Sequence, residues 1–145
     1  MRLWAVQLLP YLSEAQFKGQ LRELVLIMRT WRNTGKTNHL LINRVMEYPK
    51  EHLTTYFMEY SSIYHQRYGK PLKKYHDEFC DFCEIAFYPL DNLFKGWHNK
   101  EYLRVCMANL YEKHFFGIGK SRITDEEWGT LCRGYKEITG EEYQI

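Results

Sequence analysis

Apolar positions recur along most of the chain at three- and four-residue intervals, the period of an amphipathic helix and not the two-residue alternation of a half-buried strand. Phe17, Leu21, Leu24, Met28 and Trp31 follow Ser13-Glu14-Ala15-Gln16, which has the Ser-x-x-Gln form of a capping box, so a helix is predicted over about 14–32. Its middle, Leu24-Val25-Leu26-Ile27-Met28, is apolar all round and is placed at the centre of the fold. Gly35 stops it within a turn over 33–39, and a short helix follows as far as Tyr48-Pro49. Leu53, Phe57, Tyr60 and Tyr64 then form the stripe of a helix over 50–68, closed by Gly69-Lys70-Pro71. Leu72, Tyr75, Phe79, Phe82 and Ala86 outline the next. After a breaker-rich loop from Tyr88-Pro89 to Asn99, Leu103, Cys106 and Leu110 predict a helix over about 100–115, broken by Gly117-Ile118-Gly119. Thr124-Asp125-Glu126-Glu127 is a second capping box, opening a helix with Trp128, Leu131, Tyr135 and Ile138 that Gly140 closes. The predicted class is all-α: a compact single-domain bundle of about five to six helices over residues 1–145.

The 145 residues, 45% hydrophobic and 17% aromatic, suffice for one sizeable core. The first apolar stretch is interrupted by Gln7 and Pro10 and lacks a small-residue cleavage site, and no run is long enough to span a bilayer. A monomer without membrane association, in the cytoplasm of a bacterium or phage-infected host, is expected. Cysteines 80, 83, 106 and 132 are expected to be reduced thiols. His76, Cys80 and Cys83 share a helical face, but a fourth ligand and a second Cys-x-x-Cys are missing, so packing is favoured over a metal. Twelve tyrosines suit wet core edges ahead of a base-stacking surface.

Charge is segregated along the chain: residues 1–75 carry a net +7 and residues 76–145 a net −5. A polyanion docking on the basic half follows, unless folding intermixes the two. On the 14–32 helix, Lys18, Arg22, Arg29 and Arg32 fall within a sector of roughly 80°, a quarter turn from the apolar stripe. This ridge is read as free of acidic partners at i±4, which sets phosphate contact ahead of a merely solvated face. Gly35-Lys36-Thr37 lacks the upstream glycine and preceding strand of a phosphate loop and is a turn.

Three short motifs then stand in order: Met1-Arg2-Leu3-Trp4, Leu21-Arg22-Glu23, and Asn38-His39 after the Gly-Lys turn. In order and spacing over residues 1–70 the chain resembles the pyrimidine-dimer DNA glycosylase family, base-excision enzymes of phages, algal viruses and bacteria. The resemblance implies a bifunctional glycosylase and abasic-site lyase acting on damaged duplex DNA, with the N-terminus at the active site and no metal or organic cofactor. It implies Met1 as the nucleophile through its α-amine, whose ordinary pKa of about 7.7–8.0 leaves a usable neutral fraction at pH 7.

By the same resemblance, Glu23 is the carboxylate that balances positive charge on the deoxyribose and assists elimination, and Arg2 and Arg22 grip phosphates near the lesion. Read from its residues alone, Glu23 points toward Gln16, Ile27 and Thr30, and such a glutamate is commonly a surface residue. Lys36, Asn38 and His39 complete the expected DNA contacts with Lys18, Arg29 and Arg32, Asn38 serving equally well as a helix N-cap. Leu40 stands where bacterial members have proline, Gln16 where viral members have histidine, and Leu26 where they have arginine. Met1 followed by the bulky Arg2 stands where they expose threonine, and the C-terminus Glu141-Glu142-Tyr143-Gln144-Ile145 is acidic where theirs is basic and aromatic. A non-catalytic DNA-binding or phage accessory protein on the same fold, and an unrelated helical interaction module, remain open alternatives.

Overall fold

The computed structural model describes residues 2–84 and 88–145. Met1, the expected nucleophile, and Ala86, the last position of the fourth apolar stripe, lie outside the described residues.

Among the described residues there are six α-helices and no strand: α1 (Glu14–Asn33), α2 (Leu40–Val45), α3 (Lys50–Tyr68), α4 (His76–Phe82), α5 (Lys100–Phe115) and α6 (Asp125–Thr139). The all-α class is therefore observed. Gly69 and Gly140 end α3 and α6 in left-handed conformations, with φ of 69° and 78°, which a glycine adopts without the steric cost of a Cβ.

The two capping boxes part company. At α6 the Thr124 hydroxyl accepts from the Glu127 N–H while the Glu127 carboxylate accepts from the Thr124 N–H, at 3.1 and 2.9 Å. At α1, Ser13 makes no side-chain cap, and Gln16 turns away to donate to the Ser121 carbonyl at 3.1 Å. A tertiary partner across the fold outcompetes the local one for Gln16. The apolar middle of α1 is also less central than its composition suggests. Leu24, Val25, Ile27 and Met28 are buried, whereas Leu26 is 48% exposed.

The segment before α1 is the least anticipated part of the core. Leu3, Trp4, Ala5, Val6, Leu8, Leu9 and Leu12 are all buried, and residues Val6–Tyr11 form a 3-10 helix with Pro10 inside it. It packs against both α3 and α6. Gly134 on α6 makes room for Tyr11, since a Cβ there would sit 2.4 Å from the ring. Residues 3–12 thus run through the middle of the bundle, where helices on several sides can fix their backbone.

Candidate active site

On α1, Gln16, Gln20 and Glu23 fall at i, i+4 and i+7 and so line one face of the helix. That face meets the N-terminal segment. The Arg2 N–H donates to Glu23 Oε2 at 2.8 Å. Gln20, only 1% exposed, donates from Nε2 to the Arg2 carbonyl at 3.0 Å and accepts from the Trp4 N–H at 2.7 Å. From α3 the Tyr56 hydroxyl donates to the Trp4 carbonyl, and from α5 the Tyr102 hydroxyl donates to the Leu3 carbonyl, both at 2.6 Å. Three helices therefore hold the backbone of residues 2–4 at five of its polar groups. Burial raises the phenol pKa of Tyr56 and of Tyr102 above the ordinary value, so each stays a neutral donor.

Beside this clamp lies a cavity of about 250 Å³, lined by Arg2, Gln16, Gln20, Glu23, Asn109 and Lys113 among others. Gly19 also lines it and places no side chain in the space. The cavity lining contains one carboxylate and two cations, Arg2 from the N-terminal segment and Lys113 from the last turn of α5. An anionic sugar-phosphate is attracted by the cations, and the single carboxylate can oppose a positive centre forming on it. Arg2 additionally borders a neighbouring hollow with Leu40, Arg44, Trp97 and Tyr102.

The structure brings together Arg2 and Glu23, in the direction of Gln16 that the helical spacing indicated. It separates Arg22 from them. Arg22 and Lys18 open instead onto a groove of about 600 Å³ that also contains Tyr64, Lys70, Lys73 and Lys74. Contrary to the expectation from sequence, the ridge is not free of acidic partners: Lys18 pairs with Glu14 one turn away at 2.8 Å. Arg29 makes a two-pronged contact with Glu78 at 2.8 and 2.9 Å, and Arg32 reaches the same carboxylate at 3.3 Å. Glu78 comes from the acidic half of the chain, so folding intermixes the charge segregation here. Of the four ridge residues, Arg22 alone has no ion-pair partner among the described residues.

Lys36, Asn38 and His39 are exposed and none lines the Glu23 cavity. Asn38 does not cap α2. His39 occupies the N-cap position without a side-chain bond, and the turn is instead held by Asn43, whose amide brackets Thr37 at 2.6 and 3.1 Å. His76 and Cys80 are 3.8 Å apart, but Cys83 turns to the Glu84 carbonyl. Among the described residues no group of three His, Cys, Asp or Glu side chains could hold a metal ion, and no helix is long and apolar enough to cross a membrane.

Lys113 and Asn109 are functional candidates that the sequence did not reveal. They stand some ninety residues from Glu23, and only the packing of α5 brings them to it. Gln20 had a visible signal, the spacing of Gln16, Gln20 and Glu23 along one face of α1, a helix whose other buried positions are apolar.

The model of the pyrimidine dimer DNA glycosylase family matches residues 1–84, the segment that contains Arg2, Gln20, Glu23, Tyr56 and α1 to α4. The chain belongs to this family. It is thereby a DNA-repair glycosylase with DNA as its substrate. No curated protein and no solved structure matches the chain. Helices α5 and α6, the first of which brings Asn109 and Lys113 to the cavity, lie outside the matched residues.

Proposed function

We propose that this glycosylase excises a base from damaged duplex DNA, a pyrimidine dimer being the lesion its family points to, and then cuts the strand as an abasic-site lyase through its Met1 amine. The observation that carries the reading is the bond from the Arg2 N–H to Glu23. The Met1 amine is three covalent bonds from that nitrogen, so a carboxylate fixed there stands beside the reacting group. DNA is kinked and a nucleotide extruded so that C1′ reaches the cavity.

The neutral amine attacks C1′, and the glycosidic electrons leave with the base, which takes up a proton. The nitrogen loses a proton, its electron pair expels the ring oxygen O4′, which takes up a proton, and a protonated Schiff base joins Met1 to the opened deoxyribose. Loss of a C2′ proton then expels the 3′ phosphate with the C3′–O electron pair, breaking the strand. Glu23 opposes the positive charge at the sugar and accepts the C2′ proton. Arg2 and Lys113 hold the flanking phosphates, and Arg22 adds a contact outside the cavity. The steps need no metal or organic cofactor.

Single-turnover cleavage of a dimer-containing duplex and of an abasic duplex tests this: both are cut in a chelator. A protein that binds both duplexes and cuts neither is the non-catalytic DNA-binding alternative.

A further inference from the structure

The chain leaves α5 in a turn that is apolar where a solvent-facing turn is ordinarily polar. Phe115, Phe116 and Ile118 are 64%, 74% and 84% exposed. Single exposed apolar residues are commonplace, but three within four positions form a patch. This patch adjoins the candidate active site, because Asn109 and Lys113 line both the Glu23 cavity and the hollow beneath Phe116 and Ile118.

The turn is also rigidly built. A Cβ on Gly117 would lie 2.0 Å from the Lys113 carbonyl oxygen, so only glycine allows the chain to fold back there, and Gly119 follows at a φ of 69°. The Lys113 carbonyl accepts from the Ile123 N–H at 3.2 Å, and Ile123 is fully buried. Gln16 of α1 grips the Ser121 carbonyl at 3.1 Å. An apolar tip held at both ends thus stands beside the cavity, with Lys113, Lys120 and Arg122 around it and Glu112 the acid in its hollow.

We propose that this turn is a wedge that enters the base stack of duplex DNA at the lesion, with Phe116 and Ile118 inserting where the nucleotide is drawn out and Lys120 and Arg122 meeting the adjacent phosphates. Proteins that bend DNA use apolar side chains in this way, exchanging base stacking for contact with a rigid apolar surface. The surrounding cations favour a polyanion over an apolar partner, and the shared lining residues put the tip beside the carboxylate. The inference rests on the proposed reading that DNA is kinked at the Glu23 cavity.

The test uses the full chain and a duplex with an uncleavable tetrahydrofuran abasic analogue and 2-aminopurine as the neighbouring base. Saturating wild-type protein raises the 2-aminopurine emission several-fold. Phe116→Ala combined with Ile118→Ala removes at least half of that rise while binding persists, and Lys120→Ala weakens binding with the emission at saturation kept. Both apolar side chains are exposed, and an unchanged melting temperature confirms the fold. Emission unchanged in the double variant, or no rise with the wild type, overturns the wedge. So does a wild-type dimer in sedimentation that the double variant dissociates with its DNA response intact, which makes the turn a contact between copies. Because the duplex cannot be cut, absence of strand cleavage elsewhere would defeat the proposed chemistry and leave this result standing.

Discussion

The main-chain nitrogen of Arg2 and the carboxylate of Glu23 are 2.8 Å apart across 21 residues of sequence. A charge-assisted bond to a backbone N–H engages one carboxylate oxygen, and Glu23 also lines the cavity. In the proposed chemistry Glu23 thus serves two ends: it holds the Arg2 main chain and acts as the base.

Replacing Glu23 by glutamine separates the two. The amide oxygen can still accept from the Arg2 N–H, so the fold is kept, but the group can neither oppose a positive sugar nor take a proton. Glu23→Gln should bind damaged duplex at least as tightly as the wild type and cut it on the order of 100-fold more slowly or worse. Single-turnover rates on dimer-containing and abasic duplexes check this. Wild-type rates would make Glu23 a structural clamp only.

Gln20 acts through position and not through chemistry. Gln20→Leu keeps the side-chain bulk but leaves the Trp4 N–H and the Arg2 carbonyl unpaired in a buried place, a loss of about 2–4 kcal/mol. Urea denaturation should show that loss, and cleavage should fall while affinity for DNA changes little. Equal stability would mean that water replaces the amide.

The ion pairs divide the α1 arginines into two kinds. Arg22→Ala should lower the slope of log affinity against log salt by about one, because an unpaired guanidinium is free to neutralise a phosphate. Arg29→Ala should change it far less, since Arg29 already holds Glu78 at 2.8 Å. Equal effects would show that DNA displaces Glu78.

Acid sensitivity should come from His98. Both of its ring nitrogens are buried without a partner among the described residues, and Tyr102 stacks on it at 4.6 Å. Burial, helped by the Arg44 charge, holds its pKa down to about 3 from the ordinary 6.5. The unfolded chain therefore binds a proton before the folded one, and stability present above pH 6.5 is lost as pH falls toward 3. At pH 5 this amounts to about 2 kcal/mol. His98→Phe should flatten that limb in urea titrations at pH 7 and 5, and an undiminished pH dependence would assign it to other groups.

Helix periods made α1, α3, α5 and α6 legible, because apolar positions recur at three- and four-residue spacing in each and each ends at a glycine or a polar turn. The N-terminal segment was not legible, since Gln7 and Pro10 interrupt its apolar run and its burial depends on α3 and α6 packed around it. Arg2 and Glu23 were marked by the family resemblance, and their proximity now has a geometric basis. The ridge misled because a helical wheel shows angle alone. Glu14, one turn before Lys18, stands on the same wheel and pairs with it, whereas Glu78 arrives from α4, which no wheel shows.

Borohydride reduction on an abasic duplex, followed by mass mapping of the trapped peptide, tests the central claim most directly. A Schiff base at the chain's first residue predicts one covalent adduct on the peptide that begins Met1-Arg2, abolished by a retained N-terminal extension and kept with a C-terminal one. No adduct in the wild type, or an adduct on Lys113 that survives the N-terminal extension, would contradict the account.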